Sequence, residues 1–96
     1  VTKEQRIENL ALSFPSIRSN VEAGYLPGVS PWDPSDFDDY RRNPTMEHGS
    51  GMRSVIDFIW HVWSGENCFS LRTAFGRWDR SHTAAWKAWA SKPWWA

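Results

Sequence analysis

A single cysteine, Cys68, stands in this 96-residue chain. No internal disulfide framework can form, and an unpaired thiol suits a reducing compartment, so a cytoplasmic location is expected. Long apolar runs are missing too. The longest, Val55 to Trp63, is interrupted by Asp57 and His61 and falls well short of the ~20 residues a membrane-crossing helix needs. The first residues, Val1 to Arg6, carry charges of both signs and none of the apolar stretch of a secretory leader. There is no excess of one charge: eleven Lys and Arg balance eleven Asp and Glu. The motifs that specify chemistry most sharply are also missing. The chain has no HExxH, no paired cysteines and no Gly-x-Ser-x-Gly around a nucleophilic serine, and Gly49-Ser50-Gly51 lacks the Lys-Ser/Thr of a phosphate loop. No strand-period alternation, hairpin dipeptide or internal repeat is visible. A chain of this length buries only roughly 60–65% of its unfolded surface. It therefore supports one modest core, and a two-domain cleft is excluded.

What is plentiful is tryptophan: Trp32, Trp60, Trp63, Trp78, Trp86, Trp89, Trp94 and Trp95. Each indole can bury on the order of 150–250 Å² and brings one hydrogen-bond donor, so a few suffice to hold a small core together. Those in helical stretches are expected to be core. Others are candidates for stacking on a partner, above all the adjacent pair Trp94 and Trp95.

The local signals are helical throughout. Thr2-Lys3-Glu4-Gln5 has capping-box spacing, and Ile7, Leu10, Ala11 and Phe14 follow on one face, so a first helix is expected from Lys3 to about Ser13. Pro15 opens the next turn. Ile17 and Val21 support a short second helix that Gly24 stops in a left-handed conformation. Tyr25 to Asp33, with Pro27, Gly28 and Pro31, reads as loop. Asp33-Pro34-Ser35-Asp36 supplies an N-cap acid and a proline at the first helical position, predicting a helix to Arg42. Another starts at Ser50 or Gly51, runs to about Trp63 and stops at Gly65. It is apolar nearly all round except for the stripe Arg53, Asp57 and His61, and so must be central. Leu71, Phe75, Trp78, His82, Ala85 and Trp89 alternate steps of four and three, which predicts one long helix from Ser70 to Ser91 ended by Pro93. The alternative is a break, with Gly76 and Asp79-Arg80-Ser81 capping a second helix. The expected fold is an all-α single domain of four or five helices with a Trp-rich core, in which the Met52 to Trp63 helix packs on the final one.

Charge is balanced overall but unevenly placed. Residues 1–47 hold five basic and eight acidic residues, a net of −3, whereas residues 68–96 hold five basic residues and only Asp79, a net of +4. On one continuous helix Arg72, Arg77, Arg80 and Lys87 would form a basic outer face opposite the seam. A basic helix with interleaved Trp invites a nucleic-acid reading, in which Arg72, Arg80 and Lys87 contact phosphates. The neutral whole-chain balance argues against it.

Other residues carry chemistry in principle. Asp57 and His61 share a helix face, and His82 is the polar member of the seam. Convergence of the three would supply ligands for Zn²⁺ or a general base with an orienting acid. The favoured reading is structural: Arg53, Asp57 and His61 form an i, i+4 ladder, and His82 donates to a carbonyl or carboxylate in the core. Asp33, Asp36, Asp38 and Asp39 lack the spacing of a calcium loop, and helix N-terminal charge accounts for the first two. Cys68 has no neighbouring base and is expected to be a small buried apolar residue.

With aromatic anchors in surplus and no specific catalytic motif, the expected function is non-enzymatic. The chain reads as an accessory or inhibitory protein that binds a larger intracellular partner, with Trp94, Trp95, Trp32, Arg72, Arg80 and Lys87 as contact residues and no cofactor. A nucleic-acid-associated module and a small metal-dependent hydrolase are the alternatives. The Lys92-Pro93-Trp94-Trp95-Ala96 tail is expected to leave the last helix and fold back over an apolar gap, or to leave one indole in and one out.

Overall fold

The helices begin and end where local chemistry directs. A computed structural model describes all 96 residues and contains six α-helices and no strand. Helix α1 (Lys3–Leu12) is opened by the complete capping box: the Thr2 hydroxyl accepts from the Gln5 N–H while the Gln5 side chain accepts from the Thr2 N–H. Helix α2 (Pro15–Glu22) carries proline at its first position and gives way to Gly24 at φ +79°. Helix α3 (Pro34–Arg42) is capped by the Asp33 carboxylate, which accepts from the N–H groups of Ser35 and Asp36. Helix α4 (Ser50–Ser64) ends on Gly65 at φ +79°.

Between α2 and α3 the irregular segment is pinned rather than loose. Leu26, Val29 and Trp32 point into the core, and the Glu8 carboxylate of α1 accepts from the Ser30 hydroxyl at 3.0 Å and the Trp32 N–H at 3.2 Å. Gly28 adopts φ +82°, and a Cβ there would lie 2.4 Å from the Phe37 nitrogen. Only glycine lets the loop pass this close to α3.

The central position expected of α4 is observed. It packs against α1, α2, α3 and α5 and buries Met52, Ser54, Val55, Ile56, Phe58, Ile59, Trp60 and Val62. Phe14 is fully buried, edge-on to Phe58 with ring centroids 5.9 Å apart and 5.7 Å from Trp78. A second aromatic group, Trp32 with Phe37 and Trp63, closes the other end of the core at 5.0 and 5.3 Å.

The long helix expected over Ser70 to Ser91 is not formed. The segment is instead α5 (Leu71–Phe75) and α6 (Arg80–Ala90), which brings the helix count to six rather than four or five. The physical reason lies at the break. The Trp78 indole is buried and donates to the Gly51 carbonyl at 2.9 Å, and Gly51 lies so close to the Arg77 carbonyl that a Cβ would sit 3.2 Å from it. Holding Trp78 in that slot takes residues 76–79 off a helical path. Asp79 then restarts the chain as an N-cap, its carboxylate accepting from the His82 N–H at 2.9 Å. Arg72 consequently falls on α5, Arg77 between the helices, and Arg80 and Lys87 on α6, so the continuous basic helix face does not form. Helix α6 buries none of its residues fully.

Candidate functional site

Three features stand out on the molecule: a row of aromatics, a hydrogen-bonded chain through His82, and two polar cavities beside α4.

The aromatic row follows from the break. Helix α5 directs Phe75 outward, where 44% of it is exposed. Its ring meets Trp86 of α6 edge-on at 5.3 Å, Trp86 lies 6.4 Å from Trp89, and Trp89 meets Trp95 edge-on at 5.3 Å. Trp95 is 56% exposed and also stands perpendicular to the His61 ring at 5.1 Å. The tail holds the row in place. The Trp94 carbonyl accepts from the Trp89 indole at 3.1 Å, the Ala96 N–H donates to the Val62 carbonyl at 3.2 Å, and the half-buried Trp94 ring lies under the Arg6 guanidinium at 4.3 Å. The tail thus takes the mixed arrangement, Trp94 inward and Trp95 outward.

The other contact residues expected from the sequence separate. Arg72, Arg80 and Lys87 are exposed on two helices. Trp32 is 8% exposed between Phe37 and Trp63 and serves the core, so it presents no surface to a partner.

Asp57, His61 and His82 each find a different partner. Asp57 lies 3.7 Å from the Arg41 guanidinium, on the α3 side of α4. Burial raises its carboxyl above the ordinary value, and the nearby Arg41 and Arg53 charges oppose that rise. His61 Nδ1 lies 2.5 Å from the Glu66 carbonyl oxygen. The expected i, i+4 ladder is therefore replaced by contacts to α3 and to the loop after α4, and nowhere do three His, Cys, Asp or Glu side chains gather as a metal-holding group would.

His82 is the more informative case. Its Nδ1 lies 2.7 Å from Asp79 Oδ1, and its Nε2 lies 2.8 Å from the Ser16 hydroxyl and accepts from the Ser16 N–H at 3.3 Å. An Asp–His–Ser order at these distances has the connectivity of a nucleophilic triad. Ile17, which follows Ser16, is fully buried, and neither of the two cavities beside α4 is lined by Ser16 or His82. The chain fastens α6 to the start of α2. Its Asp79 carboxyl is held well below the ordinary range, first by the His82 backbone N–H and then by the His82 ring and the Ser81 hydroxyl. Spacing within one helix could not disclose Ser16, which lies 66 residues away from His82.

Two cavities flank Arg53 and Asp57. The larger, about 620 Å³, lies between α3 and α4 and is lined in part by Tyr40, Arg41, Met46, His48 and Ile56. The Tyr40 hydroxyl is 2.5 Å from His48 Nε2, and burial lowers the His48 pKa. Arg41 is committed to carboxylates: Asp38 at 3.1 Å, Asp57 at 3.7 Å and Glu66 at 3.8 Å. Arg42 is paired with the same Asp38. Of the four aspartates, Asp33 is thus accounted for by capping and Asp38 by ion pairs, while Asp36 and Asp39 make neither contact. The smaller cavity, about 200 Å³, lies between the first turns of α4 and α5. Cys68 lines it half-buried, donating weakly to the Asp57 carbonyl at 3.4 Å, and burial pushes its thiol pKa up, which leaves it a poor nucleophile.

No protein-family model, curated protein or solved structure matches this chain.

Proposed function

We propose that this chain is a non-enzymatic, protein-binding accessory or inhibitory module that docks on an intracellular partner through the row Phe75, Trp86, Trp89 and Trp95. The observation that carries the reading is one connected line of large aromatic side chains whose ends, Phe75 and Trp95, have roughly half their surface exposed and whose middle members, Trp86 and Trp89, are half-buried against the core. Adjacent aromatics left on a surface mark interaction sites, because such rings supply large contact area at low conformational cost. The surrounding chain narrows the occupant. Residues 68–96 carry Arg72, Arg77, Arg80, Lys87 and Lys92 against Asp79 alone, a net of +4. A partner segment with apolar anchors and acidic flanks complements that surface; a basic one would be repelled.

The test compares the native chain with Phe75→Ser, Trp95→Ser and the double variant, each first shown by circular dichroism to keep its helix content. The same partner, identified after chemical cross-linking in source-cell extract, should be recovered with the native chain and lost with the double variant. Its capture should weaken as salt is raised. Recovery that is indifferent to both substitutions would remove the row from the binding surface.

A further inference from the structure

We propose that the smaller cavity is a binding site for a phosphate group that retains a proton, with inorganic phosphate as its simplest ligand. This site is separate from the aromatic row and does not depend on the protein-binding reading.

The cavity is lined by Ser50 and Ser54 of α4, by Ser70 and Thr73 at the start of α5, and by the guanidinium-bearing Arg53 and Arg77. Two features mark it out. Ser54 is only 8% exposed, and its hydroxyl makes no hydrogen bond to any protein group and is not sealed from the cavity it lines. A hydroxyl that no protein group engages is free to donate to a ligand there. Neither Arg53 nor Arg77 has a carboxylate within ion-pair distance, although every other arginine lining the two cavities, Arg41 and Arg42, is paired. Two unpaired guanidinium groups and four hydroxyls make a donor-rich lining, which suits an oxyanion. Helix α4 adds to this. Gly49 gives its first turn no side-chain cap, so the positive end of the 15-residue helix beside Ser50 is left unneutralised.

Size and charge select among anions. At about 200 Å³ the cavity lies below the ~300–1,000 Å³ typical of sites for larger organic ligands, so a single tetrahedral ion is the fitting class. Asp57 lines the same cavity, and its carboxylate feels the charge of Arg53 as well as that of Arg41, 3.7 Å away. A fully deprotonated anion is repelled by that carboxylate, whereas an anion bearing a P–O–H group can donate to it. Phosphate at neutral pH keeps at least one proton and sulfate keeps none. The lining thus favours phosphate over an ion of nearly the same shape.

Calorimetric titration of the full chain at neutral pH and low ionic strength, with inorganic phosphate and sulfate as parallel probes, tests the assignment. Saturable one-site binding of phosphate is expected, with sulfate weaker by about tenfold or more. Ser54→Ala and Arg77→Ala should each weaken phosphate about tenfold, and Arg77→Lys should fall between native and Arg77→Ala. Asp57→Asn should strengthen sulfate and narrow the gap between the two ions. Phosphomonoesters as a further arm separate free phosphate from a carried phosphoryl group. An absence of saturation by phosphate, equal affinities for phosphate and sulfate in the native chain, or binding unchanged by Ser54→Ala and Arg77→Ala with helix content intact would each overturn the proposal.

Discussion

Trp60 and Trp78 are each 8% exposed, yet their indole N–H groups have opposite fates. Trp78 donates to the Gly51 carbonyl at 2.9 Å, whereas the Trp60 nitrogen is buried with no partner. Substituting each by phenylalanine removes the same atoms from equally buried places, so the packing loss is shared, about 1–2 kcal/mol. The polar balance then separates them. Trp78→Phe forfeits a formed hydrogen bond, a further ~1 kcal/mol, for a total of about 2–3 kcal/mol. Trp60→Phe removes an unsatisfied donor whose burial costs about 1–3 kcal/mol, so its net change should lie near zero. The Arg41 guanidinium lies 5.6 Å from the Trp60 ring, and weakening that contact works against the expected gap without erasing it. A difference of about 2 kcal/mol corresponds to roughly 8–16 °C in Tm for a domain of this size. Urea titrations with matched m-values give the comparison directly. If Trp60→Phe destabilises as much as Trp78→Phe, the assignment of satisfied and unsatisfied indoles is wrong.

Three further outcomes are expected. Gly28→Ala places a Cβ against the backbone of Phe37 and Asp33 at a φ of +82°, and should cost at least ~3 kcal/mol in urea unfolding; a loss under ~1 kcal/mol would show that the loop does not pass so close to α3. Because the Asp79 carboxyl is depressed in the fold, its contribution to stability is present above the ordinary value of 3.8 and is lost as pH falls below it. Asp79→Asn keeps a capping side chain but should flatten the acid-side decline seen in the native chain between about pH 5 and pH 2, and identical pH profiles would rule out the capping carboxylate as its source. Deleting Pro93 to Ala96 removes the half-buried Trp94 and two hydrogen bonds, and should cost about 2–3 kcal/mol; an unchanged melting temperature would make the tail a passenger on the fold.

Helix existence was readable because its causes are local. The Thr2–Gln5 capping box, Pro15 and Pro34 at first helical positions, the Asp33 cap and the left-handed Gly24 and Gly65 each act within a few residues, and each is found in the role its chemistry suggests. Site geometry was less readable because its causes are distant. Arg41 reaches Asp57 across two helices, Glu8 reaches back to Trp32, and Ser16 meets His82 across nearly the whole chain. The unpaired state of Arg53 and Arg77 and the orphan hydroxyl of Ser54 are properties of a cavity that exists only once α4 and α5 are side by side.

Residues 70–91, where the structure takes the alternative with a break at Gly76 and Asp79 rather than one long helix, show where periodicity stops being informative. Steps of four and three report which residues face a common core, and they hold for Trp78, His82 and Ala85 whether or not one helical axis runs through them. Continuity is decided instead by competition at the joint. A helical path through residues 76–79 would form its regular hydrogen bonds but draw the Trp78 indole away from the Gly51 carbonyl and from its place 5.7 Å from Phe14 and 5.8 Å from Phe69. Breaking the path keeps that buried ring, and Asp79 restores much of the loss by capping α6 through His82. The break also has a functional consequence. It turns Phe75 at the end of α5 toward Trp86 on α6 and begins the aromatic row, so a core requirement at Trp78 creates the surface through which binding is proposed.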